Sequence, residues 1–381
     1  MTWIPDKTLC VKIIDREKEE YDMRREGSAH WVFLVLLVAF ALAIPALAVA
    51  QPGEFVKGIL KPLADGFPKR AITFVVADEP GSRDGIYTRS LQQSLKGISP
   101  VPIVVSDEPA TGAFGTFFKL KDLEKRQGAL EGYYPVPVTI WGAVGDLHTE
   151  PIKEELGMDE SDMNMVIVTE QIPYVFAQKK KVPWGNTFAD FVKWTKANPG
   201  KAKYISNQIG SGNDTAGEWV MQTLGVKVNK VPQKSSQAAA AVVGAGEGDF
   251  TFVSLDYAMP HVQAGRMDIR MIIGSSLPSP WDKDPNIVSS VQAGLPAVPM
   301  GIILGFAVNK AVPPSHVEWL FKLIKAGVST DMHKQREKAS PGLRINIMTP
   351  TEANALKVKL YEYAGQTLRA IGLHKDQQKK K

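Results

Sequence analysis

The chain has one cysteine in 381 residues, Cys10. It lies upstream of the segment expected to be removed, so the mature protein would have no disulfide, thiolate metal site or cysteine nucleophile. Histidine is also scarce, and the six are scattered. His148 and Glu150 lie close in sequence, but a zinc site wants roughly three or four ligands. The patterns GxxxxGK[ST], GxSxG, HExxH and GxGxxG are missing, and with them the usual signs of phosphate-loop, serine-hydrolase, zinc-protease and dinucleotide sites. Gly210-Ser211-Gly212 lacks the third glycine of the dinucleotide pattern. No cofactor and no metal are expected. Charge of one sign is not abundant either: 45 Lys and Arg face 40 Asp and Glu, a net charge of +5. A nucleic-acid binder clusters its cations on a stripe with aromatics between. Here the dense run is only Lys379 to Lys381, read as a solvated end, and no nucleic acid is expected as partner. There is no fixed-period repeat.

What is present is an ordinary globular composition, 44% hydrophobic and 22% charged, enough for two domains and a buried core. Trp31 to Ala50 is an uncharged apolar run preceded by Arg24 and Arg25 and closed by Ala48-Val49-Ala50. A basic start, an apolar body and a small-x-small end predict a secretory signal peptide cut after Ala50, and hence a periplasmic protein. The body before Pro45 is roughly 14 residues, against about 20 for a membrane span. An uncleaved anchor is the alternative, because the whole run reaches about 20. Met23, directly before the arginines, reads as a more natural start than Met1. Residues 51–66 read as a linker punctuated by Pro52, Gly53, Pro62 and Gly66.

Downstream, strand and helix signals alternate. Strands are expected at Ile72–Val76, Pro102–Val105, Val136–Trp141, Val166–Thr169, Tyr174–Ala177, Lys203–Ser206, Val228–Val231, Phe250–Val253 and Arg270–Ile273. One helix should place Ile86, Leu91 and Leu95 on a common face. Another should run from a Thr187 cap to Ala197, and a third should open on a Thr215/Glu218 capping box. The alternation predicts α/β lobes on mostly parallel sheets.

In such sheets ligands bind where strands end and helices begin, and helix starts suit carboxylate or phosphate. Two glycine-bearing loops fit: Pro80-Gly81-Ser82-Arg83-Asp84-Gly85, and Gly210-Ser211-Gly212-Asn213-Asp214 in the stretch that starts at Asn207. Thr111 and Gly112 form a third. Read singly, these are also ordinary turns, with Ser82 and Asp214 as helix caps. Arg83 either pairs with a carboxylate through parallel N–H donors or is a solvated surface residue. Asp256, two residues after Ser254, either accepts from a ligand or caps the next helix. Trp141, Tyr174 and Trp281 either wall a pocket or belong to the core.

An ordered set of short segments adds to this. Phe67-Pro68-Lys69-Arg70-Ala71-Ile72-Thr73, then Pro80-Gly81, then Asn198-Pro199-Gly200-Lys201 with Tyr204, come first. Ala216-Gly217-Glu218, Val231-Pro232 with Lys234, Pro260-His261 with Ala264-Gly265, and Ala293-Gly294-Leu295-Pro296 follow. In this order the chain resembles the substrate-binding proteins of tripartite tricarboxylate transporters, from about Phe67 to Leu373. It departs from them at Ser82, where a second glycine is frequent, at Gly85, where an Asp is, and at Val253-Ser254, where Asp-Asn is common. The resemblance implies a type II periplasmic-binding-protein fold. Lobe 1 would be residues 67–170 and 300–381, and lobe 2 residues 171–299. The chain would cross near Thr169–Tyr174 and again near Met300–Phe306. It further implies a monomer without enzymatic activity that binds a small organic acid in the cleft and docks on integral-membrane permease subunits. A ligand-binding sensor component serving a receptor kinase has the same fold and is the second reading. An exported enzyme is the third, with Asp84, Asp214 and Asp256 as its only candidate acids.

Overall fold

The computed structural model describes residues 53–110, 115–207, 210–298, 300–340 and 342–378. The expected signal peptide, its cut after Ala50, Thr111 and Gly112 lie outside the described residues. Strands β1 (Phe55–Val56) and β2 (Ile59–Leu60) form a hairpin. Parallel strands β3 (Ile72–Val76) and β4 (Ile103–Asp107) are joined by helix α1 (Arg83–Ser94). Next come α2 (Gly115–Leu123), β5 (Val136–Thr139), α3 (Ile140–Thr149), α4 (Ile152–Leu156) and the 17-residue strand β6 (Met163–Lys179). Then α5 (Phe188–Ala197), β7 (Lys203–Ser206), α6 (Gly212–Leu224), β8 (Asn229–Pro232), α7 (Ser236–Gly244), β9 (Phe250–Ser254), α8 (Leu255–Gln263), β10 (Met267–Ile272) and β11 (Val288–Ser289) alternate. The chain closes with β12 (Gly301–Asn309), α9 (Pro314–Val328), α10 (Asp331–Ala339), β13 (Arg344–Met348), α11 (Pro350–Ala370) and α12 (Lys375–Gln378).

β6 organises the molecule. Its first part pairs with β12, from Met163 opposite Asn309 to Pro173 opposite Gly301. Its second part pairs with β9, from Tyr174 opposite Ser254 to Gln178 opposite Phe250, and with β10 on the other side. The partners change at Pro173, which has no N–H to give a ladder. The sequence predicts two strands here and the structure has one. Glu170 and Pro173 make the run look interrupted, but Glu170 is buried against Arg336 rather than looped out. The sheets are mixed rather than mostly parallel. β7 runs parallel to β8 and β9, whereas β6 is antiparallel to β9, β10, β12 and β13.

Packing accounts for the other differences. Residues 53–66, expected as a linker, carry the β1–β2 hairpin, and Leu60 and Leu63 are buried in the core. The Leu60 N–H donates to the Ile98 carbonyl and Trp319 Nε1 to the Lys61 carbonyl. In α1 and at its C-cap the buried face is Tyr87, Leu91 and Leu95, while Ile86 is 60% exposed. Thr187 caps α5 as expected, with Asp190 capping back. The Thr215/Glu218 box does not form. Helix α6 starts three residues earlier at Gly212, Thr215 donates to the Gly212 carbonyl, and Glu218 pairs with Lys230. Phe176, Phe188, Phe191, Tyr204, Phe250 and Phe252 build an aromatic core around the far half of β6. Each such burial contributes about 1.5–3 kcal/mol. No helix among the described residues is long and apolar enough to cross a membrane.

Candidate functional site

A cavity of about 380 Å3 collects the starts of four helices. Its walls are Ala77–Glu79 at the end of β3, Asp84 in the first turn of α1, Pro109 and Ala110 after β4, and Gly115 and Thr116 at the start of α2. Thr139, Gly142, Ala143 and Asp146 come from α3 and its cap, and Gly210, Ser211 and Gly212 from the loop that opens α6. The first N–H groups of a helix have no intrahelical partner and carry a partial positive charge. At α1 one of them is already taken, because Ser82 Oγ accepts from the Gly85 N–H at 3.1 Å. At α3 and α6 the cap residues Thr139 and Ser211 make no side-chain capping bond.

The α6 loop is held from behind. Asn207 Nδ2 donates to Ser236 Oγ at 3.0 Å, and its Oδ1 accepts from Ser211 Oγ at 2.7 Å. Asn207 therefore positions Ser211 and is not itself on the cavity wall. The Gly210 N–H donates to the buried Asp214, whose other oxygen lies 2.7 Å from Lys230 Nζ. At Gly212 a Cβ would stand 2.6 Å from Tyr174 Oη and 3.0 Å from Trp141 Cδ1, closer than packed atoms tolerate. Tyr174 and Trp141 are themselves core side chains, 1% and 2% exposed. Trp281 packs in a separate cluster.

Arg83, Ser254 and Asp256 meet one another instead of lining this cavity. Arg83 Nη2 donates to Ser254 Oγ at 3.0 Å and lies 3.0 Å from Asp256 Oδ2. The guanidinium also stands over the Tyr257 ring, 4.6 Å from its centre. Burial works against this cation, but Asp256, Tyr257 and Asp84 outweigh it and raise its pKa. Gly81 has φ +86° with open space around it, so it serves the turn. The sequence thus locates Asp84, Gly210, Ser211 and Gly212 on the cavity, and Ser82 as a cap.

It misses α3. Val136 to Trp141 reads as strand with Gly142 as its stop, whereas the strand ends at Thr139 and a helix follows. Trp141, Val144, Leu147 and His148 are buried at helical spacing, and that period is the overlooked signal. Asp146, on the same helix, faces the cavity. Burial, then the nearby Glu150, push its carboxyl pKa well above the ordinary range. Asp84 is raised to about 6, chiefly by burial, with Asp78 and Glu170 adding to it and Arg83 opposing. His148 does not join Glu150 in a metal set. Its ring nitrogens face His374 Nε2 at 3.3 Å and the Tyr361 carbonyl at 2.9 Å, and no group of three ligating side chains occurs among the described residues.

Comparison with known proteins agrees with this architecture. A family profile described as "Tripartite tricarboxylate transporter family receptor" matches residues 88–334. A UPF0065 protein of Bordetella pertussis is 20% identical over 250 residues, 66% of this chain and 74% of that one. A Rhodopseudomonas palustris protein solved with adipate superposes with a TM-score of 0.65 at 17% identity, covering 80% of this chain and 98% of that one. MatC of the same organism, solved with bound malate, gives 0.63 at 17% identity, over 79% and 100%. The fold is the two-lobed α/β fold of periplasmic binding proteins.

Proposed function

Because the chain belongs to the tripartite tricarboxylate transporter receptor family, a family of periplasmic substrate-binding proteins and not of enzymes, we propose that it captures a small organic acid in the α1–α2–α3–α6 cleft and hands it to integral-membrane permease subunits. The observation that carries this reading is the convergence of four helix starts on one cavity, two of them without side-chain caps. Backbone N–H groups and aligned dipoles there offer an anion a seat that needs no cationic side chain. The adipate and malate bound by structural relatives support a carboxylate ligand. A volume of about 380 Å3 suits a molecule of that size.

The lobes divide at residues 67–170 with 300–381, and 171–299. The exchange of β6 partners at Pro173, opposite Gly301, supports a hinge at these two crossings. The protein acts as an exported monomer, freed by cleavage after Ala50. A thermal-shift panel of mono-, di- and tricarboxylates tests the reading. Ligand at a hundredfold excess over its dissociation constant stabilises the folded state by about 2.7 kcal/mol, which moves the midpoint by several degrees. A shift with one acid class supports capture, and a flat response to every acid contradicts it.

A further inference from the structure

We propose that the end of the β6–β10 sheet pointing away from the cleft is a docking surface for an anionic lipid bilayer, gripped by lysines at the strand ends and on the exposed side of α5. The inference goes beyond ligand capture: it concerns where the exported protein resides, and it holds whatever the cleft binds.

The whole chain carries a net charge of +5. Residues 179–203 alone hold seven lysines against one acid, Asp190, a larger excess than that of the chain. The run Lys179-Lys180-Lys181 is as dense as the three lysines at the C-terminus. The fold brings these residues to one end of a sheet. β7 is parallel to β9, and β6 is antiparallel to β9 and β10, so β6 finishes where the other three begin. The Lys179 N–H donates to the Asp249 carbonyl, the Asp249 N–H to the Lys203 carbonyl, and the Gly200 N–H to the Lys227 carbonyl. Met267 stands opposite Lys179, and Arg266 shares a pocket with Lys179, Lys180 and Lys181. The opposite ends of the same strands lead to the cleft: β7 runs out toward the α6 loop, and β9 ends at Ser254 beside Arg83.

The acids of this end are already engaged. Asp249 pairs with Lys179 at 2.7 Å, and Asp268 with Lys180 at 2.6 Å and Arg270 at 3.1 Å. Asp190 caps α5 together with Thr187. Glu247 is exposed and makes no ion pair among the described residues. Against it stand Lys181, Lys201, Lys203, Lys227 and Arg266, all exposed and without an ion pair among the described residues. Helix α5 turns Phe188 and Phe191 into the core and leaves Lys193 and Lys196 exposed. Cations gathered without counter-charge repel one another and attract an opposite field.

Cations spread across the ends of several strands match an extended negative surface better than one small anion. All but Arg266 are lysines, flexible point charges in place of the planar fork that reads a single carboxylate or phosphate. Trp194, between Lys193 and Lys196 in sequence, is half-buried with its ring 5.4 Å from that of Trp184. An indole with an apolar body and a polar N–H suits the headgroup layer. The family is periplasmic, and the extended anionic surface bounding that compartment is a bilayer. No helix among the described residues is long and apolar enough to cross it, so the attachment is peripheral, and it leaves the cleft at the other end of the strands uncovered.

The test is vesicle co-sedimentation of the exported protein, residues 51–381, with mixed phosphatidylglycerol–phosphatidylcholine vesicles and with phosphatidylcholine alone. Binding is expected to the charged vesicles only, and to fade as salt rises and the screening length falls from about 10 Å at 0.1 M to 3 Å at 1 M. Each cation near an anionic leaflet strengthens binding about fivefold. Lys181→Gln, Lys203→Gln and Lys227→Gln together are therefore expected to weaken it about a hundredfold. Lys61→Gln, Lys96→Gln and Lys125→Gln, exposed lysines of other elements, remove the same net charge and are expected to cost less than about threefold. The lipid and salt comparisons need no variant, so a misfolded variant leaves the test intact. Equal binding to neutral and charged vesicles, or equal losses in the two triple variants, overturns the proposal. Uptake by vesicles of total cell membranes with none by phosphatidylglycerol vesicles gives this surface to a membrane protein and overturns it as well.

Discussion

The guanidinium of Arg83 and the carboxylate of Asp256 meet at 3.0 Å although 173 positions separate them. One stands at the start of α1 and the other in the first turn of α8, so the contact ties two strand-to-helix junctions together. Under the proposed division these belong to different lobes. Arg83 is the more enclosed partner, with 14% of its side chain exposed. Asp256→Ala leaves that cation without its carboxylate, and the expected loss is about 1–3 kcal/mol in urea denaturation. If the pair also holds the unliganded cleft closed, the radius of gyration of the variant rises in small-angle scattering. Unchanged stability and unchanged dimensions contradict the role of a latch.

Gly142 sets stability against binding. It lies inside α3, where alanine is favoured by about 1 kcal/mol, and a Cβ there meets nothing within 4 Å. The open space is the cavity. Gly142→Ala is expected to raise the melting temperature while lowering ligand affinity. A variant that gains stability and keeps full affinity shows that ligand does not approach this helix.

Glu170 anchors the crossing strand. It is 1% exposed and accepts from both terminal nitrogens of Arg336 on α10. Burial pushes its pKa up, and Arg336 offsets part of that. Arg336→Ala leaves a buried carboxyl without its cation, a change that costs about 3–5 kcal/mol in buried pairs. Arg336 is 26% exposed, so the lower end is expected. Thermal melting checks it.

His333 makes stability fall with acid. Burial first, and Arg336 second, lower its pKa to about 4, below the unfolded value of about 6.5. The folded state thus binds fewer protons in that window. Its stabilising contribution is complete above pH 6.5 and is lost as pH falls toward 4, at up to about 1.4 kcal/mol per unit. His333→Phe keeps a ring beside Tyr87 and removes the titration. Wild type is therefore expected to lose stability relative to this variant between pH 6.5 and 4, and parallel curves contradict the assignment.

Much of the fold is legible in the sequence because its signals are local. Ile72–Val76 is a short apolar run and Tyr204-Ile205 an apolar pair, both bounded by turns, and Thr187 with Asp190 is a complete capping pair. The rest depends on distant partners. Glu170 reads as a break until Arg336 is seen beside it. Leu60 and Leu63 read as linker until Ile98 and Trp319 receive that segment. At the site, glycine and serine before a helix point to the α6 loop, and Asp84 to the α1 start. Asp146 is hidden because Gly142 imitates a strand stop, while the period that reveals α3 lies in its buried side chains. Arg83, Ser254 and Asp256 stand out in the sequence as polar groups at helix starts, yet only the structure shows that they bind each other.

The most direct test of the central claim is calorimetry on wild type and Gly142→Phe, using whichever acid gives the largest thermal shift. A Cβ at Gly142 meets nothing within 4 Å, and the phenyl ring is meant to fill the cavity that Gly142 lines. The account predicts one ligand per chain in wild type, and loss of binding by at least about a hundredfold, or about 2.7 kcal/mol, in a variant that melts no earlier. Unaltered binding in the filled variant would place the ligand elsewhere and contradict the account.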